Sequence, residues 1–183
     1  MLGAFREAAQ YEDDLVEVMN HCTAALRRES AVPGAFDRLA RLEGFVTALV
    51  AQVPDKPVVE VVNCGHPPPL VVRHGVVQAL VPADPLPPLW LEEFAAGCSA
   101  TVESHPFTRG DRLLLYTDGV IEARDRDDVF FPLSETATGA SSVAPQVFVE
   151  HLRQALLRHT RGRSTDDAAM LLVERVGEER DEA

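Results

Sequence analysis

Arg112-Leu-Leu-Leu-Tyr-Thr-Asp-Gly119 is the stretch on which the reading of this chain turns. Residues 112–117 are short, apolar and nearly unbroken, and Asp118-Gly119 ends them. That is the pattern of a strand buried on both faces. Arg109-Gly110-Asp111 supplies the preceding turn, and Ala100–His105 reads as the strand leading into it. Downstream, Asp166-Asp167 opens a second apolar strand, Ala168–Val173. If these two strands are antiparallel neighbours, Asp118 and Asp166 lie on the same edge of one sheet.

Working further outward, Phe45–Val53 and Pro57–Cys64 are β-branched runs joined by Pro-Asp-Lys-Pro, which predicts a hairpin. Leu70–Arg73 and Val76–Leu80 flank His74-Gly75, a two-residue turn candidate. Val81–Gly97 carries Pro82, Pro85, Pro87 and Pro88, which excludes a central strand because proline lacks an N–H. Trp90 and Leu91 in that stretch are expected to cover an edge of the core. Phe130, Phe131 and Leu133 read as a small apolar cluster.

Two helices frame the strands. Ala4–Arg28 repeats Phe5, Ala8, Leu15, Val18, Met19, Cys22, Ala25 and Leu26 at three- and four-residue steps, predicting one helix. Glu29–Leu42 reads as a loop. Pro145–His159 places Phe148, Leu152, Ala155 and Leu156 on one face, with Pro145 suited to the first turn. Helix, antiparallel strands, helix and final strand define an α+β chain rather than a nucleotide-binding α/β wheel.

Composition narrows the function. The 183 residues carry 17 Lys plus Arg against 29 Asp plus Glu, a net charge of −12. Such a chain repels phosphate backbones and anionic membranes, so neither nucleic acid nor a membrane surface is an expected partner. No apolar run reaches the roughly 18 residues of a membrane span. No secretory signal is readable at the start. Three scattered cysteines, Cys22, Cys64 and Cys98, form no C-x-x-C pair. They read as packed thiols of a cytoplasmic protein. Phosphate-loop, dinucleotide, nucleophile-elbow and H-E-x-x-H motifs are all missing.

What remains is acidic. Carboxylate oxygens of Asp118 and Asp166 converging on one sheet edge would suit Mg²⁺ or Mn²⁺, and Gly119 would allow close approach of a carbonyl or a water. Taken alone, Asp118-Gly119 equally reads as a plain turn and Asp166-Asp167 as a solvated loop or an edge guard. Asn63 and His66 sit where a strand meets Gly65 and Pro67-Pro68-Pro69, a rigid turn that could aim both at the edge of a site. The alternative is that Asn63 caps the turn and His66 is packed or solvated.

At these residues the chain resembles a known family. Val62-Asn-Cys-Gly-His-Pro-Pro-Pro-Leu70, Pro106-Phe-Thr-Arg-Gly-Asp-Arg-Leu-Leu-Leu-Tyr-Thr-Asp-Gly-Val-Ile-Glu-Ala-Arg124 and Thr165-Asp-Asp-Ala-Ala-Met-Leu-Leu172, with Phe45-Val-Thr-Ala-Leu49, resemble the SpoIIE-type branch of the bacterial metal-dependent serine/threonine phosphatases (the PPM, or protein phosphatase 2C-like, family). The resemblance implies an α-β-β-α sandwich of antiparallel sheets over residues 1–176, with 177–183 a charged tail. It implies Asp118 and Asp166 as metal ligands, with Gly119 and Asp167 supporting them. It implies attack of a metal-bound water on phosphoserine or phosphothreonine in a regulatory partner, of the anti-anti-sigma type, in stress or sporulation-type signalling.

The family's earlier Gly-Asp-Val-x-Gly-Lys-Gly block, whose aspartate bridges two ions, has no counterpart before the first helix. The expectation is therefore a domain truncated at its N-terminus or begun at a misplaced start, holding one Mn²⁺ or Mg²⁺ ion or none. A sheet without its first strands exposes an edge, so self-association into a homo-oligomer or pairing with a partner is expected. The competing expectation is an inactive module that works by protein binding.

Overall fold

The computed structural model describes residues 2–30, 46–89, 100–162 and 167–177. The contacts divide the chain into two compact units, Met1–His66 with Pro82–His105, and Pro67–Val81 with Pro106–Ala183.

In the first unit, α1 spans Leu2–Tyr11 and α2 spans Leu15–Ser30. The single helix expected over Ala4–Arg28 is thus broken. Asp14 is the reason: its Oδ1 accepts the Val16 N–H at 2.8 Å, the bond of an N-cap that starts a new helix. The apolar spacing survives the break, and Ala8, Leu15, Val18, Met19 and Leu26 are all buried. They form one cluster with Val50, Val62, Cys64 and Leu89. β1 (Ala48–Gln52) and β2 (Val58–Cys64) make the expected antiparallel hairpin, in register from Ala48↔Cys64 to Gln52↔Glu60. The β5 strand, Glu103–Pro106, completes a sheet of order β1-β2-β5 and is shorter than the expected Ala100–His105. Gly65 has φ +68°, and a Cβ there would stand 2.8 Å from the Pro88 ring and nitrogen. Only glycine fits that crossing.

The second unit is built on the sheet β4-β3-β6-β7, with β3 Leu70–Arg73, β4 Val76–Ala79, β6 Arg112–Tyr116 and β7 Met170–Glu174. β3 and β4 meet through His74 and Gly75, both at positive φ (48° and 82°), the two-residue hairpin turn that follows the strand twist. β6 and β7 pair antiparallel from Arg112↔Glu174 to Tyr116↔Met170, so the two apolar runs are neighbours as expected. β7 begins two residues later than predicted.

Among the described residues, three helices belong to this unit. α3 (Asp118–Ile121) follows β6 directly, so Asp118-Gly119 opens a helix rather than closing a hairpin. α4 (Leu133–Gly139) was not legible, because only Leu133 and Ala137 of its seven residues are buried. α5 (Pro145–Thr160) carries Pro145 in its first turn and ends on Arg161 in the left-handed conformation. Phe148, Leu152 and Leu156 of α5 pack with Leu114, Tyr116, Phe131 and Leu133. Phe130 is not part of that cluster. It is half exposed, and the Arg124 guanidinium lies 3.9 Å from its ring centroid.

Trp90, Leu91, Cys98, Phe45, Asp166, most of Glu29–Leu42 and the tail from Glu178 lie outside the described residues. No helix among those described is long and apolar enough to cross a membrane.

Candidate metal centre

β6 delivers Asp118 to the end of its sheet. The strand is anchored there by Tyr116, whose hydroxyl donates to the Pro68 carbonyl at 2.8 Å. Burial pushes the Tyr116 phenol up, so it stays a donor through neutral pH. Beyond Tyr116↔Met170 the ladder continues through Thr117. Its N–H donates to Ala169 O at 3.1 Å, its Oγ1 donates to Asp167 O at 2.5 Å, and Ala169 N–H donates back to Oγ1 at 2.8 Å. Thr117 thereby staples the segment entering β7 to the segment leaving β6.

Asp118 follows immediately. Its side chain is exposed, and Oδ1 accepts the Gly119 N–H at 2.9 Å. Gly119 backs onto Asp167: a Cβ would stand 2.9 Å from the Asp167 carbonyl carbon and 3.0 Å from its oxygen. The expected site residues Asp118, Gly119 and Asp167 are thus brought together in the second unit. Asp166, the other expected ligand, lies outside the described residues.

Asn63 and His66 are brought together in the first unit. Asn63 Nδ2 donates to the His66 carbonyl at 2.9 Å, and the His66 N–H donates to Asn63 Oδ1 at 2.8 Å. His66 Nδ1 lies 3.0 Å from Thr47 Oγ1. Asn63 therefore closes the turn with both ends of its amide.

The donors at Asp118 and Asp167 are oxygens, the set that a hard divalent cation takes. These residues fit Mg²⁺ or Mn²⁺ in kind. They do not make up a full ligand set, since no group of three or more His, Cys, Asp or Glu converges among the described residues.

One residue of this site had no role assigned from sequence. Thr117 carries the staple, and its partners lie 50 and 52 residues away. A threonine beside Asp-Gly was the available signal, but it could not say where the hydroxyl goes.

The model of the family Stage II sporulation protein E (SpoIIE) matches residues 1–176, and the chain belongs to this family. Solved structures agree on the fold. The RsbU and RsbW domains of Rv1364c from Mycobacterium tuberculosis superpose with a TM-score of 0.73 at 24% identity, over 95% of this chain and 45% of that one. The PP2C phosphatase domain with a fragment of the regulatory domain of SpoIIE from Bacillus subtilis gives 0.73 at 19%, over 94% and 48%. The catalytic domain of the serine/threonine phosphatase PstP, with two manganese ions, gives 0.63 at 16%, over 96% and 79%; PstP is a Mycobacterium tuberculosis protein. This chain spans less than half the length of the first two. A search among curated proteins finds no match. The α+β antiparallel fold class and the family resemblance are both borne out.

Proposed function

We propose that this chain is a Mn²⁺- or Mg²⁺-dependent protein serine/threonine phosphatase domain whose substrate is a phosphorylated regulatory protein. The observation that carries the reading is Asp118 at the end of β6, with Thr117 and Gly119 fastened on Asp167–Ala169. Asp118 and Asp166 are the cation ligands in this reading, and Asp167 orients them or a nearby water. When bound, the cation supplies Lewis acidity, which acidifies water and balances charge gathering on the phosphoryl oxygens.

The chain's own contribution is geometric. Asp118 is held at its backbone by the α3 turn, where the Glu122 N–H donates to Asp118 O at 2.8 Å. Tyr116 and Thr117 fix the strand end just before it. In this reading the phosphoryl group passes directly to water, as the family resemblance implies. A regulatory protein as substrate is supported by the similar chain that joins RsbU and RsbW domains. We place the work of the domain in the cytoplasm, and assign self-association to the edges of its sheets.

The test is Mn²⁺-dependent hydrolysis of a phosphoserine peptide by the 183-residue chain, beside Asp118→Ala. Turnover that needs the metal and is lost in the variant is expected. A folded chain without turnover would overturn catalysis by this chain. The reading would then pass to a phosphatase-fold module acting by protein binding.

A further inference from the structure

Thr117 stands just before α3, in extended conformation (φ −85°, ψ 160°). A threonine there ordinarily turns its hydroxyl onto an amide of the first helical turn. Thr117 makes no such bond. Its hydroxyl is instead a two-way link, donating to Asp167 O and accepting from Ala169 N–H. Both partners belong to the segment that enters β7, beyond the last strand pair at Tyr116↔Met170. There the ladder is down to one backbone bond, Thr117 N–H to Ala169 O at 3.1 Å, which holds Ala169 but does not reach the Asp167 backbone. The hydroxyl fixes the segment at two points. Gly119, two residues on, packs against the same Asp167 carbonyl group.

We propose that Thr117 is a positioning residue of the cation site, its hydroxyl setting the Asp167 backbone against Asp118. This rests on the reading of Asp118 as a cation ligand. The side chain touches neither cation nor substrate; it acts through the backbone it holds. Valine keeps the shape and the β-branching of threonine and loses both bonds, whereas serine keeps the hydroxyl.

The test is a Mn²⁺ titration followed by the free-ion paramagnetic resonance signal, on folded protein well below its melting temperature. The chains compared are the wild type, Thr117→Val, Thr117→Ser and Asp118→Ala. Thr117→Val is expected to weaken Mn²⁺ binding about 10- to 100-fold, as loss of a ligand-orienting group does, with Thr117→Ser within about threefold of wild type. Wild-type affinity in a folded Thr117→Val, with Asp118→Ala weakened, would overturn the positioning role and leave the metal reading standing. No Mn²⁺ binding by the wild type would overturn the metal reading and this inference with it. If Thr117→Val does not fold, amide exchange on the wild type decides. Saturating Mg²⁺ is expected to slow exchange at Ala169, and unchanged exchange there, with Mg²⁺ bound, overturns the role.

Discussion

Gly119 packs on Asp167 so closely that a Cβ would stand 2.9 Å from the Asp167 carbonyl carbon and 3.1 Å from the Ala168 nitrogen. These are backbone atoms, and the Thr117 hydroxyl ties the same segment at Asp167 O and Ala169 N–H. Two effects of Gly119→Ala therefore oppose each other. Helix propensity alone would favour alanine in α3 by up to about 1 kcal/mol. Overpacking against fixed backbone costs about 1–3 kcal/mol and wins. Thermal unfolding should show a net loss, of roughly 2–8 °C for a chain this long. An unchanged or raised Tm would mean that the Asp167 segment yields.

Asp111 anchors the opposite end of β6. It is 2% exposed, and its carboxylate accepts from Arg73 Nε (2.9 Å) and Nη2 (2.6 Å) and from the Thr108 N–H (2.6 Å) and hydroxyl (2.9 Å). Burial pushes this carboxyl up, but the Arg73 and Thr108 bonds together outweigh it and hold it below the usual carboxylate range. A depressed carboxyl stabilises the fold above its unfolded pKa, and that stability drains as pH falls through the folded value. Asp111→Asn keeps the shape but faces an amide to the guanidinium. It should cost about 1–3 kcal/mol near neutral pH. Urea midpoints at about pH 7 and about pH 3 check both statements, since the variant's penalty should shrink at the lower pH. A penalty equal at both would show that Asp111 does not titrate in this range.

Phe148 measures the core beneath the site. It is fully buried among Leu114, Tyr116 and Phe131, and Arg112 lies 5.8 Å from its ring centroid. Phe148→Ala should cost about 3–5 kcal/mol, the transfer term plus a cavity that β6 is too constrained to close. A urea unfolding curve that shifts by less than a third of that would show that α5 and the sheet collapse together.

Legibility followed how local each cause is. β6 was readable because an unbroken apolar run has few other uses, and the β3–β4 turn because His74-Gly75 suits positive φ at both positions. Pro145 announced α5 by itself. The break at Asp14 was missed because eight apolar positions outvoted a single capping carboxylate, although that carboxylate decides the chain path. Phe130 and Phe131 are identical in composition, and nothing local says that one is buried while the other lies beneath Arg124. The place of Asp118 just past β6 was legible because strand ends can be counted. Thr117 was not, because its partners are set by the β6–β7 register, a pairing across some 50 residues that no local pattern encodes.

Asn63 puts a sharper question, because aiming a side chain at a site and closing a turn require different chemistry. It is 8% exposed, with its oxygen accepting from the His66 N–H and its nitrogen donating to the His66 carbonyl. Asn63→Ala leaves both backbone groups without those partners and should cost about 1–3 kcal/mol. Asn63→Asp is the more telling change. The acceptor half survives, but at neutral pH the donor half becomes an anionic oxygen facing a carbonyl oxygen, so the variant should be no more stable than alanine. Protonation restores an O–H donor at that position. The carboxyl of Asn63→Asp should therefore have a raised folded pKa, and its stability relative to Asn63→Ala should grow as pH falls through that value. Urea midpoints of the two variants from about pH 7 to about pH 4 read this directly. A gap that stays constant across the range would remove the turn-closing role and return Asn63 to the edge of a site.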